Sequence, residues 1–126
     1  MRPRAILADD YEAGRQLYSD LLAPDVDFIA IVGDGEAALE AAELQHPDLV
    51  FLDIAMPVLD GFSAARKLKK NMPQIKVVFL TMHAEPEYIK EAEHIGVDGY
   101  VLKRNASSEL REAVRNVMEG SRYYPE

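Results

Sequence analysis

The sequence predicts one α/β domain: a doubly wound parallel sheet of five strands with five helices packed on its two faces. Three observations carry that class. Short β-rich apolar runs alternate five times with segments whose apolar residues recur at helical spacing, the pattern of parallel strands joined by crossover helices. Each run is continuously apolar instead of alternating, as expected for strands buried on both faces. A length of 126 residues, 48% of them hydrophobic, is one domain's worth of chain with enough apolar material for a core.

The elements follow in order. The first strand spans Ala5 to Ala8, and Ala13, Leu17 and Leu21 at i, i+4, i+8 set the buried stripe of the first helix. The second strand spans Phe28 to Val32. Gly33-Asp34-Gly35 lacks the spacing of a dinucleotide fingerprint and reads as a turn into the second helix, whose apolar positions are Ala38, Ala42 and Leu44. The third strand, Leu49 to Leu52, is halted by Met56-Pro57, and Asp60-Gly61 closes that loop. Phe62, Ala65, Leu68 and Met72 form the third helical stripe, with Arg66, Lys67, Lys69 and Lys70 on its wet side. The fourth strand is Val77 to Leu80. Pro86 suits the first turn of the fourth helix, Ile89, Ala92 and Ile95 its inner face, and Gly96 its end. Gly99 to Leu102 is the fifth strand, Ser107 the N-cap of a last helix carrying Leu110, Val114 and Val117, and Gly120 its stop. Residues 121–126 show no periodicity and read as the start of a linker, which puts the domain at 1–120.

Composition narrows the function classes. Twenty-two acidic against 14 basic side chains give a net charge of −8, which repels a phosphate backbone, so direct nucleic-acid binding by this chain is not expected. Absence of cysteine excludes disulfides, thiolate zinc sites and thiol nucleophiles. His46, His83 and His94 have no ligand spacing and are read as surface and loop residues. Only four apolar residues precede Asp9-Asp10, too few for a signal peptide, and no apolar run approaches the roughly 18 residues of a membrane span. A cytoplasmic location is expected.

In an open parallel sheet, ligands bind beyond the carboxyl ends of the strands. Here the first strand runs into Asp9-Asp10, the third into Asp53, the fourth into Thr81 and the fifth into Lys103. Taken singly these residues have bland readings: Asp10 as a helix cap, Asp53 as loop chemistry, Thr81 as a strand end, Lys103 as a solvated cation. Taken together they collect on one edge. Two carboxylates about 5 Å apart repel by about 3 kcal/mol at an effective dielectric of 20, so three require a cation or a shared proton. Oxygen-only ligands favour Mg²⁺, or Mn²⁺, over zinc. A metal beside a lysine and a hydroxyl suits a phosphoryl group, and Asp53, ending the central strand, is the candidate nucleophile for an acyl phosphate.

Asp9-Asp10, Asp53-Ile54-Ala55-Met56-Pro57 with Asp60-Gly61, Leu80-Thr81 and Gly99-Tyr100-Val101-Leu102-Lys103 together resemble the receiver domain of two-component response regulators, over almost the whole chain. Leu80-Thr81-Met82-His83 and Gly99 to Arg104 are most similar to the NarL/FixJ branch, whose members carry a LuxR-type helix-turn-helix. The resemblance implies a flavodoxin-like sheet in the order 2-1-3-4-5. It implies Asp53 as phosphoacceptor from a sensor histidine kinase, and Mg²⁺ held by Asp10, Asp53, Asp9 and the backbone carbonyl of Ala55. Thr81 and Lys103 would bond phosphoryl oxygens, and Tyr100 would be a switch aromatic that turns inward as Thr81 moves. The output would be a shift of the face formed by the fourth helix, fifth strand and fifth helix, controlling a homodimer or a C-terminal DNA-binding domain outside this chain. Ala55 offers no polar side chain to position water, and Met82 is bulky, so slow self-dephosphorylation is expected.

Two other classes compete. A phosphatase of the haloacid-dehalogenase type also pairs an aspartate nucleophile with Mg²⁺, but requires a second acid where Ala55 stands. An interaction module that never accepts phosphate would have no need of the acidic pair, Thr81 and Lys103.

Overall fold

A computed structural model describes residues 2–125. Its elements alternate throughout: β1 (Arg4–Ala8), α1 (Glu12–Leu22), β2 (Asp27–Val32), α2 (Gly35–Gln45), β3 (Leu49–Leu52), α3 (Gly61–Asn71), β4 (Lys76–Thr81), α4 (Pro86–Ile95), β5 (Gly99–Leu102) and α5 (Ala106–Met118). The five strands form one sheet in the order β2-β1-β3-β4-β5, every pairing parallel. The sequence-based limits of β3 and β5 are those observed, and the other three strands gain one or two flanking residues.

Two cores flank the sheet. Alternate residues of the strands feed each: Ile6, Val50, Leu52, Val77 and Phe79 pack with α2, α3 and α4, while Leu7, Leu49, Phe51, Val78 and Val101 pack with α1 and α5. β1, β3, β4 and β5 are buried on both faces, as continuous apolar runs require. β2 is not. It is an edge strand, only half-buried, with Ile31 exposed, so the expectation of two buried faces fails for this strand.

Several helical details correct the sequence reading. α1 buries Gly14, Tyr18 and Leu22, one position on from the expected stripe of Ala13, Leu17 and Leu21, and Leu17 is 58% exposed. Both triplets have the same spacing, and the polar tip of tyrosine hid the correct one. In α2 the buried set is Gly35, Ala38, Ala41 and Ala42, whereas Leu44 is 81% exposed. Asp34 caps α2 by accepting from Ala37 N, and Asp60 caps α3 by accepting from Ser63 N, each at 2.8 Å. Ser107 caps nothing: a 3₁₀ turn at Lys103–Asn105 leads directly into α5, with Asn105 at the cap position. Lys69 is not on the wet side of α3. Its ammonium is largely buried, 2.5 Å from Asp98 Oδ2 and 2.9 Å from the Ile75 carbonyl.

Tyr123 and Tyr124 lie against the edge of the sheet. Tyr123 forms a parallel bridge to Gly99, donating its N–H to Asp98 O at 3.0 Å and accepting from Tyr100 N at 2.7 Å. The segment expected to begin a linker therefore pairs with the outer edge of β5 at one residue, Tyr123. Glu126 lies outside the described residues.

Candidate functional site

The parallel sheet delivers the polar residues to one edge, as strand direction dictates. Asp9 follows β1, Asp53 follows β3, Thr81 ends β4 and Lys103 follows β5. Asp9, Asp53 and Thr81 are all buried, at 1%, 7% and 0% exposure, and Asp10 is exposed. Carboxylate oxygens of Asp9, Asp10 and Asp53 lie within 4.8 Å of one another, the one such acidic group among the described residues. Lys103 Nζ stands between two of them, 2.8 Å from Asp9 Oδ2 and 2.8 Å from Asp53 Oδ2. Four of the sequence-predicted residues, Asp9, Asp10, Asp53 and Lys103, thus meet, and Ala55 lines the adjoining cleft, about 800 Å³ in volume, with Tyr18, Met82 and Arg104.

Electrostatics at this edge are those of a crowded anionic pocket with one cation inside it. Burial of Lys103 disfavours its charge, but hydrogen bonding and charge from Asp53 and Asp9 outweigh that and hold its pKa above the ordinary lysine value. Lys103 hydrogen-bonds Asp53 Oδ2 and forms an ion pair of the same length with Asp9 Oδ2. Asp9 Oδ2 is buried with the Lys103 ammonium beside it, while Oδ1 accepts from Tyr11 N at 2.9 Å. Three carboxylates clustered around a single ammonium leave uncompensated negative charge at this edge, which a further cation would offset. The oxygen donors of Asp9, Asp10 and Asp53 are hard ligands and fit a divalent cation of the Mg²⁺ type.

The helix-cap reading of Asp10 does not hold, because α1 starts at Glu12 with Tyr11 at the cap position and no side-chain cap. The loop after Asp53 is built tightly around it. Leu59 N donates to Pro57 O at 2.7 Å, a turn centred on Val58 with φ of 69°. The chain then returns so closely that Gly61 N bonds Ile54 O at 2.8 Å, and a Cβ at Gly61 would sit 2.2 Å from the carbonyl oxygen of Asp53. Only glycine fits there.

Thr81 Oγ1 accepts from His83 N at 3.2 Å, and His83 O accepts from the Tyr100 hydroxyl at 2.7 Å. Tyr100 is fully buried and inward, edge-on to Phe79 with ring centroids 6.0 Å apart. Burial, with a smaller push from Glu85, raises its pKa well above that of a free phenol. His83 is therefore a backbone relay between Thr81 and Tyr100, with its imidazole 3.1 Å from Glu85 Oε2 and against Tyr88.

Tyr18 is the site residue that sequence reasoning missed. Its ring lies under Lys103, with Nζ 5.8 Å from the centroid, and burial raises its pKa while Lys103 opposes the rise. The signal was present as Gly14-Tyr18-Leu22 at helical spacing.

This strand order, with four polar residues at four strand ends on one edge, defines a doubly wound α/β domain with an acidic, lysine-bearing site at the carboxyl edge of its sheet. Residues 5–115 match the family model of the response regulator receiver domain, so the chain belongs to that family. It is 38% identical over 123 residues to the response regulator protein VraR of Staphylococcus epidermidis, covering 95% of this chain and 58% of that protein. Its structure superposes on a two-component response regulator of the LuxR family from Aurantimonas sp. with a TM-score of 0.92 at 26% identity, covering 98% of this chain and 89% of the other. A LuxR-family DNA-binding response regulator from Staphylococcus aureus matches with a TM-score of 0.87 at 32% identity, covering 91% and 98%. The chain spans under two thirds of the length of the curated relatives it matches. Among the described residues no helix is long and apolar enough to cross a membrane.

Proposed function

We propose that this chain is a signalling switch in which Asp53 accepts a phosphoryl group from a sensor histidine kinase. The observation that supports it most is the meeting of Asp53, Asp9 and Lys103 at one sheet edge, with Lys103 Nζ 2.8 Å from both acids and Asp10 alongside. A carboxylate oxygen of Asp53 forms a bond to phosphorus while the phosphorus–nitrogen bond to the donor imidazole breaks, its electron pair returning to the ring nitrogen. Asp53 is the nucleophile as a carboxylate and has no proton to lose. Lys103, already charged and already there, exchanges carboxylate contact for a phosphoryl oxygen. Thr81 Oγ1 uses a lone pair on His83 N, which leaves its O–H to donate to a second phosphoryl oxygen.

Asp9, Asp10, Asp53 and the Ala55 carbonyl would hold Mg²⁺, with Mn²⁺ as a substitute, and when bound that ion neutralises charge on the acids and on the transferring group. The protein assists its own phosphorylation and dephosphorylation without being a conventional enzyme. Residues 1–120 are the switch, and the chain beyond them, after seating Tyr123 and Tyr124 against β5, leads toward a DNA-binding output domain in the cytoplasm. Charge at Asp53 is read at the face of α4, β5 and α5, as homodimer formation or release of that domain. Ala55, where a haloacid-dehalogenase-type phosphatase requires its second acid, disfavours the phosphatase reading.

Incubation with acetyl phosphate and Mg²⁺ tests this by intact mass. The protein should gain one phosphoryl group, and Asp53→Asn should gain none. Equal labelling of the variant would remove Asp53 from its role.

A further inference from the structure

A continuous set of contacts runs from the buried hydroxyl at the site to the segment after α5. It starts with Thr81 Oγ1, which accepts from His83 N, and continues through His83 O, which accepts from the Tyr100 hydroxyl. The Tyr100 ring is then stacked on Tyr124, with centroids 6.1 Å apart and planes inclined by 28°. Tyr124 is itself fixed at its far end, where its hydroxyl donates to Val97 O at 2.6 Å. Its neighbour Tyr123 is stitched to both sides of Gly99, through Asp98 O and Tyr100 N. Tyr100 is therefore gripped by its backbone amide, by one ring face and by its hydroxyl, and two of those three grips come from residues 123–124.

From this we infer that Tyr124 is a positioning residue for the phosphoryl site: with Tyr123 it straps β5, holds Tyr100 inward and thereby sets the His83 loop and the Thr81 hydroxyl. This rests on the role of Asp53 proposed above. The physical reason is reciprocity. An outward Tyr100 would forfeit its stack on Tyr124 and leave the His83 carbonyl without its phenolic donor, so seating of the strap and the inward ring stabilise each other. Whatever draws Thr81 toward a bound phosphoryl group tightens the strap, and removal of the strap weakens the hold on that group by the same factor. An aromatic ring is the working part. The Tyr124 hydroxyl anchors the strap, but the stack on Tyr100 is what transmits position.

The test uses Tyr124→Ala and Tyr124→Phe in the chain as described, read in two ways. Without any ligand, NMR amide signals of Thr81, His83 and Tyr100 should move in Tyr124→Ala and stay near wild type in Tyr124→Phe. With Mg²⁺ and beryllofluoride, a stand-in for the phosphoryl group, Tyr124→Ala should bind about fivefold more weakly, the low end of ordinary coupling between sites. Tyr124→Phe should stay within about twofold of wild type, because the stack survives loss of the hydroxyl. In a Thr81→Ala background, Tyr124→Ala should produce no further weakening, although its loss of thermal stability should persist. A purely structural role would give the same weakening in both backgrounds, and that result overturns the inference, as would unchanged Thr81 and His83 signals in Tyr124→Ala. Failure of the wild-type protein to bind beryllofluoride would instead refute the reading of Asp53, with the ligand-free signals still deciding whether Tyr124 positions Thr81.

Discussion

Replacing Val58 with glycine should stabilise this domain, although glycine substitutions in loops ordinarily do the reverse. Val58 is the centre of the tight turn after Pro57, with φ of 69°, and it is 74% exposed. A β-branched residue in the left-handed region costs about 1–3 kcal/mol, because its Cβ crowds the following carbonyl. Glycine adopts the same backbone without that clash. Against this, the unfolded chain gains freedom worth about 0.4–1 kcal/mol. The quarter of the valine side chain that is covered forfeits about 0.5 kcal/mol of burial. The balance is a gain of about 1 kcal/mol, read as a rise in Tm of about 3–5 °C for a domain of this size. Thermal unfolding of wild type, Val58→Gly and Val58→Ala is the assay. Alanine keeps the positive-φ penalty and loses the covered methyls, so it should be neutral or slightly destabilising. A Val58→Gly protein that melts at or below Val58→Ala would show that the turn carries no such strain.

Three other outcomes follow from the site. Asp10→Asn, which removes one of three clustered carboxylates, should raise stability in EDTA by about 0.5–1 kcal/mol, since Asp10 is exposed and screened, and should abolish the increase in Tm that Mg²⁺ gives the wild-type protein. The difference in Tm between wild type and Lys103→Met should be constant from about pH 7 to 9 and shrink above about pH 10.4, the ordinary lysine value. The sign follows from a pKa raised in the folded state: the stabilisation is whole while the unfolded chain's lysine is protonated and is lost as pH passes through the folded value. Phosphorylated protein in Mg²⁺ should release phosphate over minutes or longer. Ala55 places no polar side chain by Asp53, and Met82, which lines the same cleft, offers only an apolar one, so neither positions an attacking water. A half-life of seconds would contradict this account.

The strands were legible because burial on both faces leaves an unbroken apolar run, and the site was legible because parallel strands send all their carboxyl ends to one edge. Asp9, Asp53, Thr81 and Lys103 could be placed from strand ends alone. What failed did so where one pattern admits two phases or where a partner is remote in sequence. Ala13-Leu17-Leu21 and Gly14-Tyr18-Leu22 have identical spacing, and only packing against β1 and Lys103 chooses between them. Lys69 looked solvated until Asp98, 29 residues away, came to lie beside it. β2 looked like its neighbours because an edge position is a property of strand order, not of the strand. The role of Tyr124 depends on the chain turning back after Gly120, and nothing local in Tyr123-Tyr124-Pro125 signals which surface will receive it.

Asp98 has a mechanical consequence. Its carboxylate takes the Lys69 ammonium and the Val77 amide, and its carbonyl takes Tyr123 N, so α3, β4 and the terminal segment are all riveted to the residue before β5. β5 is thereby pinned at its root as well as laced to β4 along its length, and Lys103 stands about 16 Å from Asp98 at ordinary strand rise, so the ammonium that meets Asp53 is carried on a strand moored from both neighbours.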